Sequence, residues 1–238
     1  MSGPVGGIIG TLVDHMADNN EFSSFIKDEH RQRIFRGIFD SYYGEACPDI
    51  VFDTNRAWCA RMPLLQTIFP GSKIIACVRD TSWVVDSIER LIRKNNMTPS
   101  SIFNYQGGGT VYSRAETVAS PGGMLGYAYN ALKEAFYSEH AEHLMLVQYE
   151  TLTSEPQTVL NAIYDFIHEP AFKHDSENVE FDAEEFDRKA GIPGLHAVRQ
   201  RVAPNHRTSI LPPDIFNRFA SDAFWKNPEF NPHNVRII

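Results

Sequence analysis

The sequence predicts an α/β fold, a parallel sheet with helices on both faces, in one domain over residues 1–238. Three observations carry this. Short runs rich in β-branched and apolar residues recur at Asp49–Asp53, Lys73–Val78 and Leu144–Val147. Each is followed by a longer segment with apolar residues at helical spacing. The second and third runs are almost wholly apolar, as strands covered on both faces are, and alternation with crossover helices makes such strands parallel.

The elements follow in chain order. Gly3 to Met16 is small and apolar, and the run Gly3-Pro4-Val5-Gly6-Gly7 reads as close packing at a helix start. Phe25, Ile26, Ile34, Phe35, Ile38 and Phe39 recur at helical spacing between charges over Phe22–Tyr43. The strand Asp49–Asp53 follows Pro48, then a helix over Trp58–Phe69. Strand Lys73–Val78 leads into helix Ser82–Lys94, whose basic Arg93-Lys94 end complements the helix dipole. Asn95–Ser120, polar and containing Gly107-Gly108-Gly109, reads as a long loop holding at most a short helix. A loop of that length inside a domain is usually functional. Gly122-Gly123 introduces a helix through Glu139, Leu144–Val147 is the third strand, and Gln157–Ile167 is a helix. From His168 on, the chain is polar and proline-punctuated, with a short helix near Asp214–Ala220.

Composition excludes some classes. A net charge of −8 argues against a general nucleic-acid or polybasic membrane binder, though it leaves room for a local arginine cluster around an anion. Cys47, Cys59 and Cys77 have no metal-like spacing, and Cys77, inside a predicted strand, reads as a small core residue. This usage fits a reducing cytoplasm. No run is long and apolar enough for a membrane span, and no metal site is indicated.

The chemistry concentrates where Lys73-Ile74-Ile75-Ala76-Cys77-Val78 ends in Arg79-Asp80, with Ser87 eight residues after the arginine. A buried strand that delivers a guanidinium beside a helix start suits phosphate binding. The guanidinium fork bonds two phosphate oxygens, and a hydroxyl and the helix N-terminus add to it. Alone the pair is weak, since strands ending in Arg-Asp are common. Two further segments lie at suitable distances: Val51-Phe52-Asp53-Thr54-Asn55-Arg56-Ala57-Trp58 upstream, and Leu144-Met145-Leu146-Val147-Gln148-Tyr149-Glu150-Thr151-Leu152 followed by Glu155-Pro156 downstream.

Together these segments resemble the sulfotransferases that use 3′-phosphoadenosine 5′-phosphosulfate (PAPS), over roughly Asp49–Ile167. The resemblance implies a P-loop-NTPase-like sulfotransferase fold and sulfuryl transfer from PAPS to an acceptor hydroxyl or amine, releasing adenosine 3′,5′-bisphosphate. It implies that Arg79 and Ser87 grip the 3′-phosphate and that Tyr149 lies near the base; a plain core tyrosine is the alternative. The C-terminal part, 168–238, would cover the cofactor. There Gly194-Leu195-His196-Ala197-Val198-Arg199-Gln200-Arg201 resembles a G-L-H-x-V-R segment of bacterial sulfotransferase-like proteins. Arg199 and Arg201 are therefore cofactor candidates, with Arg207 a weaker one. His196 is the candidate base, against a structural hydrogen-bonding role. The long loop, with Phe103, Tyr105 and Tyr112, would shape the acceptor pocket, and His15 could line it.

The sequence departs from the family's pattern in two places. No strand, phosphate loop and helix with a Lys or Arg opens the chain. The resemblance aligns Met1 beyond that element, so the fold is expected to lack its first strand and the 5′-phosphosulfate loop. An incomplete sheet would invite homo-oligomers. The segment Asp53-Thr54-Asn55-Arg56 also lacks the family's lysine; Arg56 could supply the charge from a shifted position, or pair with Asp53 or a helix-start carboxylate. The second functional expectation is thus a non-catalytic nucleotide- or partner-binding protein on the same fold. A P-loop kinase-like activity is disfavoured by the absent Walker-type lysine.

Overall fold

A computed structural model describes residues 3–19, 21–44, 50–95, 109–191 and 193–238. The chain divides into two compact units, 1–72 and 73–238.

The first unit is helical. Helix α1 (Val5–His15) buries Val5, Gly6, Ile9 and Gly10. Its glycines are packing devices: a Cβ on Gly6 or Gly10 would fall within 3.0 Å of the Asn55 amide or the Arg61 guanidinium. Arg61 Nη1 in turn donates to the Gly6 carbonyl at 2.9 Å. A 3₁₀ turn (Glu21–Phe25) precedes α2 (Asp28–Tyr43), which opens on two carboxylates, Asp28 and Glu29, that suit a helix N-terminus. The helix expected over Trp58–Phe69 is two pieces, α3 (Ala57–Ala60) and α4 (Met62–Ile68), joined at Arg61 with φ −120°. Pro63 explains the break, because it has no N–H for the turn before it and fits only a helix's first turn.

The expected strand over Asp49–Asp53 does not form in its described part. Ile50, Val51 and Phe52 are exposed and belong to no ladder, and Asp49 lies outside the described residues. Asp53 instead bonds side chains of its own unit, accepting from Tyr43 Oη at 2.6 Å and Trp58 Nε1 at 2.7 Å.

The second unit holds the sheet. Strands β1 (Ile74–Val78), β2 (Leu144–Gln148) and β3 (Arg236–Ile237) lie in the order β1-β2-β3, all parallel. The register pairs Ile74 with Leu144 and Val78 with Gln148. The sheet is thus parallel as expected. In β2, Leu144 to Val147 are all essentially inaccessible, so both faces of the central strand are covered. Met145 and Val147 pack on Val159 and Phe166 of α9 (Pro156–Ile167). Cys77 is exposed, contrary to its reading as a core residue. Only β2 flanks β1 among the described residues, so β1 ends the sheet and is less shielded than β2.

Helix α5 (Thr81–Lys94) follows β1, and α6 (Val111–Ala119) and α7 (Met124–Phe136) precede β2. Thr110 caps α6 by accepting from the Ser113 amide at 3.2 Å. After β2 come α8 (Tyr149–Ser154) and α9, then α10 (Glu184–Lys189) and α11 (Pro213–Phe219). A second core joins Val85, Ala115, Leu211, Ile215 and Phe219, from α5, α6, α11 and the chain just before it.

The α6–α7 corner depends on two glycines. A Cβ on Gly126 would fall within 3.0 Å of the Ser120 and Ala119 carbonyl oxygens, and one on Gly123 would meet those of Thr117 and Val118. Backbone cannot swing aside as a flexible side chain would. Gly126→Ala is expected to destabilise by about 2–3 kcal/mol, an overpacking cost. Gly122→Ala, whose Cβ meets nothing within 4 Å, should leave the melting temperature nearly unchanged. Thermal melts of the two variants check this, and equal melting would refute the clash.

Candidate functional site

The carboxyl ends of adjacent parallel strands are where ligands bind in open α/β sheets. Because Val78 pairs with Gln148, the next residues on each strand, Arg79 and Tyr149, leave the sheet side by side. The guanidinium carbon of Arg79 lies 4.0 Å from the Tyr149 ring centre and 5.9 Å from that of Trp83, in the first turn of α5. Both are cation–π distances. Glu150 Oε1 stands 3.6 Å from Arg79 Nε, an ion pair too long for a hydrogen bond.

A second guanidinium joins from far along the chain. Arg207 places its central carbon 5.8 Å from the Trp83 ring centre, and its Nη2 lies 2.9 Å from Asp86 Oδ2. Burial pulls the Arg207 pKa down most, and the nearby charges of Arg79 and Arg90 add to this while Asp86 opposes them. An arginine so shifted is still charged at neutral pH. The electrostatic coupling of Arg207 with Arg79 marks a doubly positive corner on one tryptophan.

Three buried nitrogens of this corner, Arg79 Nε, Arg207 Nε and Arg207 Nη2, have no hydrogen-bond partner. Buried donors are normally satisfied, and those that are not ask for an explanation. Two guanidiniums with unspent donors are what a phosphate or sulfate group, with its several acceptor oxygens, would satisfy. Ser87 lies one helical turn after Trp83, on the same side of α5, and is exposed.

His196, in the same unit, lies apart from this corner. His196 donates its amide to Asp187 Oδ2 at 2.9 Å, and its Nδ1 is 2.6 Å from Asp187 Oδ1. Burial raises the Asp187 pKa, but these two bonds and the histidine's charge outweigh it and hold the carboxyl below its ordinary value. Two contacts locate the pair's segment: Asn95 Nδ2 reaches the Pro193 carbonyl at 3.5 Å, and Lys94 Nζ would lie 3.5 Å from a Cβ on Gly194. That is the C-terminal end of α5, whereas Arg79 precedes its N-terminus. A 14-residue helix is about 21 Å long. The two bonds tie the turn after α10 to Asp187, at the other end of α5 from Arg79.

Arg201 forms an exposed ion pair with Glu177 at 2.9 Å, and Arg199 is exposed. The C-terminal arginine that joins Arg79 is thus Arg207, not either of these. Arg56 is exposed at the start of α3, in the first unit, as is His15 at the end of α1. The Asp53 oxygens accept from Tyr43 and Trp58, and among the described residues no ion pair joins Arg56 to Asp53. Phe103 and Tyr105 lie outside the described residues, while Tyr112 sits on α6 with its hydroxyl 3.5 Å from Asp214 Oδ1.

Sequence reasoning missed Trp83 and Asp86. Trp83 was within reach, four residues from each of Arg79 and Ser87. Asp86 was not, because apart from Arg90 on its own helix its partners lie more than 120 residues away.

A family model, the sulfotransferase family, matches residues 11–174, more than half of the chain and the stretch that carries Arg79, Ser87 and Tyr149. The chain belongs to the sulfotransferase family. No curated protein and no solved structure gives a significant match. Arg207 lies beyond the matched stretch, so its place beside Arg79 comes from the geometry alone. Among the described residues of this family member, no group of three or more His, Cys, Asp or Glu is arranged to hold a metal ion. No described helix is long and apolar enough to cross a membrane.

Proposed function

We propose that this chain is a PAPS-dependent sulfotransferase that binds the 3′-phosphate of its donor between Arg79 and Arg207. The observation that carries the reading is the pair of guanidiniums beside Trp83, Arg79 at the end of β1 and Arg207 from the C-terminal chain, with three buried nitrogens that have no hydrogen-bond partner. When bound, PAPS supplies a sulfuryl group whose S–O bond to the phosphate breaks as an acceptor hydroxyl or amine attacks in line. The residues here act at the other end of that donor. Arg79, held over the Tyr149 ring, presents its fork to the 3′-phosphate; Arg207 adds a second charge, and the Ser87 hydroxyl donates from one turn along α5. Gripping a remote group in this way fixes the donor without touching the reacting bond.

Calorimetric titration with adenosine 3′,5′-bisphosphate and with 5′-AMP tests the reading. The expected result is a clear preference for the bisphosphate, at least about tenfold for one charge-assisted contact. Equal affinity, or no binding of either nucleotide, would overturn it. Incubation with PAPS and a panel of phenols, alcohols and amines then separates a transferase from a nucleotide-binding protein on the same fold. Sulfated product is the transferase outcome.

A further inference from the structure

Asp86 is the most deeply buried carboxylate of the second unit that sits beside the arginine corner, and it is fully inaccessible. It gathers one continuous strap of the C-terminal chain. Ser209 Oγ donates to Oδ1 at 3.0 Å and the Ile210 amide donates to the same oxygen at 2.8 Å. On the other oxygen, Arg90 Nε donates at 2.9 Å, and Arg207 Nη2 stands at 2.9 Å. Arg90 also reaches forward to the Thr208 carbonyl, at 2.5 Å, so the strap is held at Arg207, Thr208, Ser209 and Ile210 in turn.

The two oxygens therefore divide their work. Oδ1 fixes the backbone of the strap on α5, and Oδ2 fixes the charged head of Arg207. Leu211 in the core and Arg90 on the Thr208 carbonyl also hold the strap, but Asp86 is the carboxylate that meets the Arg207 head and offsets the repulsion of Arg79. An irregular segment orders only where specific bonds outweigh its lost freedom. The Arg207–Asp86 contact is also off line for a hydrogen bond, since Arg207 Nη2 has no hydrogen-bond partner. Asp86 thus compensates the charge without consuming the donors.

Resting on the reading that Arg79 and Arg207 hold the 3′-phosphate, we infer that Asp86 is the positioning residue of that site. It acts through Arg207 and pre-orients the second guanidinium before ligand arrives. Asp86 touches no ligand itself. Its contribution is to 3′-phosphate discrimination, because holding Arg207 in place spares the ordering cost at the moment of binding.

The test is a double-mutant cycle on the bisphosphate-over-AMP preference, with Asp86→Asn, Arg207→Ala and the double variant, alongside thermal melts. Asparagine keeps the volume and an oxygen for Ser209 and Ile210, but presents a neutral amide to Arg207 and Arg90. The expected result is a roughly tenfold smaller preference in Asp86→Asn, with 5′-AMP affinity little changed and no further loss when Arg207 is already alanine. A merely structural aspartate would lower melting and weaken both nucleotides alike. An intact preference in Asp86→Asn, or the same loss in the Arg207→Ala background, overturns the inference. Should Asp86→Asn fail to fold, Ser209→Ala removes one bond to Oδ1 and no charge. It should give a smaller loss of preference that vanishes with Arg207→Ala, and an unchanged preference would again overturn the role. Equal binding of the two nucleotides by the unaltered protein would instead bring down the 3′-phosphate reading, and Asp86's role with it.

Discussion

Arg79→Ala should abolish the preference for adenosine 3′,5′-bisphosphate over 5′-AMP, a loss of roughly a hundredfold. Charge-assisted hydrogen bonds contribute about 1.5–3 kcal/mol each, so even the low end for two bonds from one fork exceeds the roughly 2.7 kcal/mol that corresponds to a hundredfold in affinity. The alanine keeps the backbone of β1's end and removes only the fork. Affinity for 5′-AMP, which has no 3′-phosphate, should hold. Arg79→Lys should restore only part of the preference, because an ammonium is a point charge that can neither lie flat on Tyr149 nor bond two oxygens in one plane. If the alanine variant weakens both nucleotides equally, Arg79 supports the fold of the corner and does not read the phosphate.

The size of this effect follows from how the site is assembled. Arg79 is fixed by the strand that precedes it and by the Tyr149 ring at 4.0 Å, two consequences of the β1–β2 register. Arg207 arrives on an irregular strap anchored by Asp86. Bringing two cations to one tryptophan costs energy in the free protein, and on the proposed reading a dianionic phosphate between them would relieve it. The site is therefore preorganised for an anion.

Most of the supporting fold was legible. β1, α5, β2 and α9 announce themselves because Ile74–Val78 and Leu144–Val147 are continuous apolar runs and the helices after them keep a 3.6-residue period. Arg79 and Tyr149 follow from those elements, being the residues at which the strands stop. Ile50-Val51-Phe52 misled for a physical reason. β-branched and aromatic residues favour a pleated, paired surface, and pairing is decided by the rest of the molecule. The β3 strand was overlooked because its ladder spans only Arg236–Ile237, too short to show a pattern. The Arg207 strap was invisible in a deeper sense. Its bonds to Asp86 join residues more than 120 positions apart in the chain, and no local period or spacing encodes them.

Glu89→Gln should destabilise the second unit by about 2–3 kcal/mol, less than the 3–5 typical of breaking a fully buried pair because Arg93 stays half-exposed. Glu89 is nearly inaccessible on α5. Its Oε1 accepts from Arg114 Nη2 at 2.6 Å and from Arg93 Nε at 2.8 Å, and its Oε2 from Arg114 Nε at 2.9 Å. The Arg114 fork thus clamps α6 onto α5 beside the Val85–Ala115 core. Glutamine keeps the shape but turns an amide donor toward a buried guanidinium, so the expected cost is a melting temperature lower by roughly 5–10 °C. The same carboxylate sets an acid limit. Burial raises its pKa, but the two arginines outweigh burial and hold it below the ordinary glutamate value. Asp86 is likewise depressed, with burial opposed by Arg90, Ile210, Ser209 and Arg207. A group held below its unfolded value contributes stability that is complete above that value, about 4, and is lost as pH falls through the lower folded one. Stability should therefore drop steeply below about pH 4, and Glu89→Gln, with one such group fewer, should show a shallower slope there. Urea melts from pH 6 to pH 3 measure both. Parallel slopes in the two proteins would mean that the Glu89 clamp carries no stabilising charge.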